Sequence, residues 1–436
     1  MKYLVRQNKY LLPAFLLVFL LAPISTLHAE TLKEAIAKVL DDHDRILAAK
    51  ADLSASKTRM DETFANSWAP TLTTTTHYGH ERRMSKASAA NTDMESRELD
   101  FSITQRVWDW GQAFADVEVT RYQKMQMEET LDLTRQALVL DAISSYYNLD
   151  RTQKMVSFAS KSADNIKRQG EVEDIRVSLG KGYSADVLQV KTQLAGAEAR
   201  LVQAKGALLL AENHIKSVFL RSAEEIAKLE VTDPDYTKLP DTVEEVVQRA
   251  IESNPQVRQL GYMADMMGST KKSLLKSTFF PTLNAVAEHK FKDKVSGVDE
   301  FEDETLVKFE ITFPLNLGLS GLDTIRAAGK DTEAAKRRYG DMLLMIEEQA
   351  RSAWSNLHTA RANAALLNSQ ADLAEKFLEL AREERKLDKR TLLDVLNGET
   401  ALINARSDAA SAEADVKIAF YTLMQTMGAL NLNILE

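Results

Sequence analysis

Hydrophobic and polar residues follow the same succession of patterns twice along this chain. Each succession opens with apolar residues at helical spacing, behind a threonine that stands three residues before a glutamate, at Thr31 and at Thr242. This spacing is that of a capping box at the start of a helix. The helical pattern ends at a proline, Pro70 in the first succession and Pro281 in the second. We therefore expect a helical segment before each proline.

After each proline the apolar residues alternate with polar ones, which indicates strands with two different faces. Each half holds one strand directly after its proline and a second strand beyond a polar loop, at residues 81–97 or 292–303. The alternating apolar positions of the second strands are Leu99, Phe101, Ile103 and Val107 in the first half and Val307, Phe309, Ile311, Phe313 and Leu315 in the second. The sequence thus predicts four strands of about ten residues, long enough to cross a bilayer when tilted.

The helical segments that follow the strands are unusually long. Proline is absent from residues 112–169 and 322–384, and a helix of such length would span ~87 Å. Each is followed by a heptad repeat, at Val187, Leu194, Leu201, Leu208 and Ile215 in the first half and at Val395, Leu402, Ala409, Val416 and Leu423 in the second. Helices of this kind pack against like neighbours, and a simple coiled coil is the alternative.

The two halves are copies of one structural unit, since residues 31–72 align without a gap to residues 242–283. A basic start at Lys2, Arg6 and Lys9, followed by an apolar stretch, predicts a signal peptide, with an uncleaved membrane anchor as the alternative. The predicted organisation is a signal peptide at 1–29, a first repeat at 30–220, an inter-repeat segment at 221–241, a second repeat at 242–430 and a C-terminal tail at 431–436.

Four strands cannot close a barrel within one chain. An open sheet edge in lipid leaves backbone groups unpaired at a cost of several kcal/mol each, so several chains must pool their strands, and three would give twelve. The alternative is a pair of β-hairpins that cap a soluble helical protein. Aromatic residues where strands meet helices favour the barrel, because such a belt is typical of a membrane interface. They are Trp68, Trp108, Trp110, Phe279 and Phe280, and ordinary core aromatics are the alternative interpretation.

The amino-acid composition argues against several classes of function. The 436 residues have a formal net charge of −9 and no long basic run, which argues against binding nucleic acid. Cysteine is absent, which excludes thiol chemistry, zinc–thiolate sites and a lipidated N-terminal cysteine. GLSG from Gly318 is one residue short of a hydrolase motif, and DDHD from Asp41 fits a helix surface better than a metal site. We expect no enzyme activity, no cofactor and no metal.

The order and double occurrence of these features resemble the TolC family of outer-membrane efflux and secretion proteins. The resemblance covers residues 31–428 and rests on the helix–proline–strand openings, the strand-to-helix glycines Gly111 and Gly321, and the segments SADVL and LLDVLNGET around Asp186 and Asp394. It implies a mainly α fold with transmembrane β-strands. The protein would be a homotrimer with a 12-stranded barrel in outer-membrane lipid, continued by an α-helical tunnel in the periplasm. A mixed girdle around the tunnel would include residues 221–241. The resemblance also implies two kinds of partner, a periplasmic adaptor (membrane fusion) protein and an inner-membrane ABC or other transporter.

The resemblance further implies a gate at the periplasmic end. Arg390 matches the family's gate arginine, Asp186 matches its acidic partner, and Asp394 matches a pore-ring aspartate that would favour cations. Two positions depart from the family pattern, because a second ring aspartate is Asn397 here and a tyrosine found in some members is Arg385. A solvated helix face is the alternative interpretation of these charged residues.

We therefore expect a passive trimeric channel, the outer-membrane exit duct of a tripartite export system. The segment KRTLLDVLNGETALINARSDA at 389–409 resembles members that serve ABC-driven type I protein secretion, which favours polypeptide cargo. Multidrug or small-molecule efflux is an alternative. A soluble periplasmic coiled-coil scaffold or adaptor is an alternative of another class.

Overall fold

The computed structural model describes residues 30–84, 91–314 and 319–435. The predicted signal peptide at 1–29 and Leu315 of the predicted strand lie outside these ranges. The α-helices are α1 (Leu32–Asp42), α2 (Asp44–Trp68), α3 (Gln112–Ser178), α4 (Ser184–Phe219), α5 (Ala223–Ile226), α6 (Val243–Ser253), α7 (Pro255–Phe279), α8 (Ser320–Lys386) and α9 (Leu392–Thr426). The strands are β1 (Thr71–Arg83), β2 (Thr92–Trp108), β3 (Thr282–Asp293) and β4 (Phe301–Thr312). Two short 3₁₀ helices lie at Tyr236–Lys238 and Leu432–Leu435.

Two helices of 67 residues each, α3 and α8, dominate the molecule. At 1.5 Å per residue each is ~100 Å long, which is too long for a compact domain. Each ends near a residue with positive φ, Gly180 at 70° or Asp388 at 54°, and the chain runs back as α4 or α9. The expectation of long proline-free helices followed by heptad helices is confirmed, and both long helices extend past the predicted limits.

The four strands form a single antiparallel sheet in chain order, β1–β2–β3–β4. β1 and β2 form the hairpin of the first repeat, and β3 and β4 form that of the second. The repeats join along β2 and β3, where Phe101 lies opposite His289. Within the described residues, the outer edges of β1 and β4 have no strand partner, so the sheet of one chain stays open.

The loops between paired strands are shorter than predicted. β1 and β2 extend into the predicted loop at 81–97, and β3 and β4 extend into that at 292–303. The added residues are largely charged, and cross-strand ion pairs such as Arg82 with Asp93 at 3.9 Å support the ladder beyond the apolar positions. The alternation of apolar residues therefore underestimates strand length, because ladder hydrogen bonds do not require apolar side chains.

The sheet has one apolar and one charged face. Val307, Phe309 and Ile311 share a face of β4, and all three are exposed in the single chain. On the opposite face, Nζ of Lys308 lies 3.1 Å from a carboxylate oxygen of Glu288 on β3. An apolar face towards lipid and a charged face towards a lumen are typical of transmembrane strands.

The main hydrophobic core lies where α1, α2 and α6 pack against the long helices. Phe420 and Tyr421 are among its largest fully buried side chains. Burial raises the pKa of Tyr421 to about 12, so its phenol is neutral at physiological pH. The segment 221–241 lies beside this core, where the backbone N–H of Leu32 donates to the carbonyl of Glu230 at 3.0 Å.

A buried polar side chain caps the second helix of each repeat. His43 is 7% exposed, and its Nδ1 accepts a hydrogen bond from the backbone N–H of Arg45 at 3.2 Å, at the start of α2. Asn254 occupies the equivalent position before α7 and accepts from the N–H of Gln256 at 2.8 Å. The expectation that the DDHD segment decorates a helix surface is therefore wrong for His43, because its ring turns inward to satisfy a helix N–H.

Because the two repeats cap this helix with different residues, we expect His43→Asn to keep the stability of the folded protein. His43→Ala should lower the free energy of unfolding by about 1 kcal/mol, because an orphan helix N–H is left unsatisfied. Thermal unfolding of the detergent-solubilised protein, followed by circular dichroism, measures the difference. An equal loss in both variants would contradict the capping role.

Candidate functional site

The ends of the two long helical hairpins bring together most of the charged residues singled out in the sequence. Nη2 of Arg176 on α3 donates to Asp388 in the α8–α9 turn at 3.0 Å, so the two tips lie side by side. This bond raises the pKa of Arg176. Asp186 lies in the first turn of α4, and Arg390 lies in the α8–α9 turn. Because α3 and α8 each start near a strand, these tips form the end of the molecule farthest from the sheet.

Arg390 is held within its own hairpin. Its Nε donates to Glu384 of α8 at 2.8 Å, and its guanidinium lies 5.6 Å from the centroid of the Phe377 ring. The bond to Glu384 raises the pKa of Arg390, and the charge of Asp394 adds to this. In the described part of one protomer, no hydrogen bond or ion pair joins Arg390 to Asp186. The structure therefore brings the two predicted gate residues to one end without joining them inside the chain.

Asp394 and Asn397 both lie near the start of α9. Thr391 and Asp394 form a capping box, in which the Thr391 backbone N–H donates to the Asp394 carboxylate at 3.3 Å and the Thr391 hydroxyl accepts from the Asp394 N–H at 3.2 Å. The aspartate predicted for the pore ring thus also fixes the start of α9. Asn397 is exposed in the single chain.

Sequence reasoning missed the most deeply buried charge at this end. Glu173 of α3 is 1% exposed, and its Oε1 accepts a hydrogen bond from Nη2 of Arg385 on α8 at 3.1 Å. A signal was available in the sequence, because Glu173 follows the buried Ala159 and Ile166 at seven-residue spacing. A charge at a core position of a heptad needs a partner. Arg385, which departs from the family pattern, provides the hydrogen bond, and Nε of Arg176 lies 3.8 Å from the other carboxylate oxygen.

A second buried carboxylate lies nearby. Glu399 of α9 pairs with Arg382 of α8, and the side-chain amide of Asn165 on α3 donates to its other oxygen at 3.5 Å. A cavity of about 890 Å³ adjoins both pairs and is lined by Glu173, Arg385 and Arg382 among others. The two hairpins therefore meet at this end through these polar pairs, which lie next to open space, and through a small apolar cluster that includes Ile166 and Leu396.

The other ends of the long helices meet the sheet. Pro70 lies between α2 and β1, and Pro281 lies between α7 and β3. Gly111, immediately before α3, has a φ of 82°, which residues with a side chain rarely adopt. Gly321 lies in the first turn of α8, where a Cβ would clash with Thr278 of α7. These residues permit the sharp change from strand to helix.

The aromatic residues predicted for the membrane interface lie at this same boundary. The rings of Trp68 and Phe114 are 5.0 Å apart, and those of Trp108 and Trp110 are 6.2 Å apart. Trp108, Trp110 and Phe279 are about half-exposed in the single chain. Half-exposed aromatic side chains at a boundary between apolar strands and polar helices suit the headgroup region of a bilayer.

Two rows of exposed apolar residues run along the hairpins at heptad spacing. The row on α8 contains Leu366, Leu373 and Leu380 and continues at Leu387 directly after the helix, and the row on α4 contains Leu188, Val202 and Leu209. Heptad rows of this kind form seams between helices. Together with the open sheet edges, they show that the protomer is one part of a larger cylinder.

These features define a class of protein, a membrane channel whose barrel closes only in the trimer and whose wall continues as a helical tunnel. None of the helices in the described ranges has enough apolar length to cross a membrane.

The chain belongs to the Outer membrane efflux protein family, which it matches over residues 35–219 and 246–429. It is 23% identical over 333 residues to the outer membrane efflux protein BepC of Brucella suis, covering 76% of this chain and 72% of BepC. It is 21% identical over 435 residues to the outer membrane protein TolC of Escherichia coli, covering 97% of this chain and 87% of TolC. The CmeC outer membrane channel of Campylobacter jejuni shares the fold, with a TM-score of 0.79 at 12% identity over 98% of this chain and 94% of CmeC.

Membership of this family makes the chain a passive channel of the outer membrane that extends into the periplasm, and not an enzyme. It also sets aside the soluble alternatives, a capped helical protein and a coiled-coil scaffold. TolC-like channels are trimers that work with adaptor proteins and inner-membrane transporters.

Proposed function

We propose that this channel is the exit duct of a type I secretion system, through which an inner-membrane ABC transporter and a periplasmic adaptor export polypeptides. The main support is the segment 389–409, which forms part of the α8–α9 turn and the first half of α9 and resembles members that serve secretion. The absence of cysteine is consistent with this, because a lipid anchor on cysteine is common among dedicated drug-efflux channels. Small-molecule efflux is the second candidate, supported by the likeness to BepC, which is described as an efflux protein.

The charged face of the sheet suits a polar cargo. Nζ of Lys290 on β3 lies 3.9 Å from Asp100 on β2 and 3.8 Å from Glu288 on its own strand, so opposite charges lie next to one another on this face. A surface of hydrated and mutually neutralised charges binds an extended polypeptide only weakly. This property supports passage of a chain without selecting its sequence.

The gate of this duct lies between protomers. Within the described part of one protomer Arg390 is bound to Glu384 and not to Asp186, so the link to Asp186 that we propose would reach a neighbouring protomer. Exposed ion pairs contribute little free energy, so an adaptor docking on the tips could separate them. Asp394 and Asn397 would line the constriction, with one ring of three carboxylates attracting cations.

Removal of either gate charge should open the closed channel. We expect Arg390→Ala and Asp186→Ala each to raise the single-channel conductance of the trimer in planar bilayers, because each removes the same link. Lys386→Ala is the matched control, since Lys386 forms an exposed ion pair with Glu383 at the same end of α8. If both gate variants have the conductance of the wild type, Arg390 and Asp186 do not form the gate.

Cargo can be identified by deleting the gene. We expect one or more polypeptides to disappear from the culture medium, measured by mass spectrometry of secreted proteins, and to return when the wild-type chain is re-expressed. Susceptibility to a panel of drugs is measured in the same strains. If the secreted proteins are unchanged and the deletion strain is markedly hypersensitive to drugs, the secretion proposal is wrong and small-molecule efflux is the better proposal.

A further inference from the structure

The apolar face of the sheet ends at a charged side chain on the side away from the helices. Residues that lie directly opposite each other on neighbouring strands share a face. Val307 of β4 lies opposite Ala287 of β3, which in turn lies opposite Ile103 of β2. Every second residue of β2 therefore lies on this apolar face, and Arg97 is the first charged one that follows Ile103 and Leu99 towards the loop.

Arg97 lies at the height of the outer headgroups of the membrane. With a rise of ~3.3 Å per residue and a tilt of ~40°, β2 climbs ~28 Å between Trp108 and Arg97, close to the ~25 Å apolar band of outer-membrane barrels. Because the helices extend into the periplasm, the far end of the sheet faces the cell exterior. The lipids next to Arg97 are therefore those of the outer leaflet, which in an outer membrane are largely glycolipids that carry phosphate.

A groove of about 270 Å³ lies beside Arg97 on the same face. Its apolar lining includes the rings of Phe291 and Phe301, which stack with centroids 6.2 Å apart. Tyr78 lies opposite Arg97 on β1, and the guanidinium of Arg97 lies 5.7 Å from the centroid of the Tyr78 ring. Asp293 lies opposite Arg97 on β3 and also lines the groove. The groove thus combines an aromatic surface with a cation and a carboxylate.

The guanidinium of Arg97 has donors available for a ligand. In the described part of the chain it forms an ion pair with Glu95 at 4.0 Å, which is too long for a hydrogen bond. A guanidinium presents five N–H donors in a planar fork that fits the oxygens of a phosphate. Two other bases of this face, His80 and Arg82, lie on β1 and both pair with Asp93. The groove is therefore complementary to an apolar chain that carries a phosphate.

We propose that this groove binds a phosphate-bearing glycolipid of the outer leaflet. An acyl chain packs on Phe291 and Phe301, where it leaves no aromatic surface uncovered. A phosphate of the headgroup accepts charge-assisted hydrogen bonds from Arg97 beside Tyr78. Asp293 accepts a hydrogen bond from a hydroxyl of the headgroup sugar. Each chain contains the whole groove, so a trimer has three such sites, and the proposal does not depend on which cargo the channel carries.

The test is lipid binding to the detergent-solubilised trimer, counted by native mass spectrometry. The probes are diphosphorylated lipid A, the same lipid with its phosphates removed, and phosphatidylglycerol. Wild type is compared with Arg97→Gln, which removes the charge, and with Phe291→Ala, which removes apolar surface. Arg82→Gln is the matched control, because Arg82 lies on the same face and pairs with Asp93 at 3.9 Å. Excess inorganic phosphate distinguishes a lipid site from a site for the free anion.

We expect wild type to bind up to three lipid A molecules per trimer. Arg97→Gln should lower the affinity roughly tenfold, because it removes charge-assisted hydrogen bonds. Removal of the phosphates from the lipid should lower the wild-type affinity equally, and Arg97→Gln should then cause no further loss. Phe291→Ala should weaken binding of both forms of the lipid, and Arg82→Gln should match wild type.

Equal binding of lipid A by wild type and Arg97→Gln would overturn the site, and so would equal losses in Arg97→Gln and Arg82→Gln. Displacement of lipid A by inorganic phosphate would show a site for the free anion, and tighter binding of phosphatidylglycerol would show a phospholipid site. Either result contradicts the proposal. If Arg97→Gln does not assemble as a trimer, the comparison of the two forms of lipid A on wild type decides, because equal affinities would exclude recognition of phosphate.

Discussion

The architecture depends on one constraint, that backbone N–H and C=O groups at a sheet edge must find partners in a medium that offers none. Each chain supplies four antiparallel strands with an apolar face, and its two edge strands lack partners within the described residues. Sister chains satisfy those edges in the trimer, and the exposed heptad rows of α4 and α8 offer apolar seams for further helices of the same assembly. The barrel and the helical wall thus both form when the chains assemble.

The helical wall is stabilised differently along its length. Near the middle, α1, α2 and α6 pack against the long helices and form a large apolar core around Phe420 and Tyr421. Separating these elements would expose much apolar surface to water and is therefore unfavourable. At the tips, the hairpins meet through a small apolar cluster around Ile166 and Leu396 and through the polar side chains of Glu173, Arg385 and Arg176, which adjoin open space. An apolar core fixes one end of each hairpin, while polar contacts at the other end can exchange protein partners for water. This difference allows the closed end to move without loss of the fold.

Much of the fold could be predicted from the sequence because it is encoded locally. Each element is specified without knowledge of its neighbours. Threonine N-caps begin the first helix of each repeat, Pro70 and Pro281 end the helical pattern, alternation marks the strands and heptads mark the long helices. The exceptions are of another kind. Alternation misplaces the strand ends, because charged side chains also maintain a ladder, and the DDHD pattern predicts a surface position for His43 although its ring caps α2. The pairing of Glu173 with Arg385 joins positions 212 residues apart, and sequence spacing alone cannot identify such a partner.

The most direct test of this account is the mass of the mature protein, measured by analytical ultracentrifugation in detergent and in buffer without detergent. Closure of the sheet across subunits predicts a particle of three chains in detergent and no folded species of one chain in buffer. A folded, monodisperse single chain in buffer would contradict it, because its sheet edges and apolar strand face would then be stable in water without sister chains or lipid.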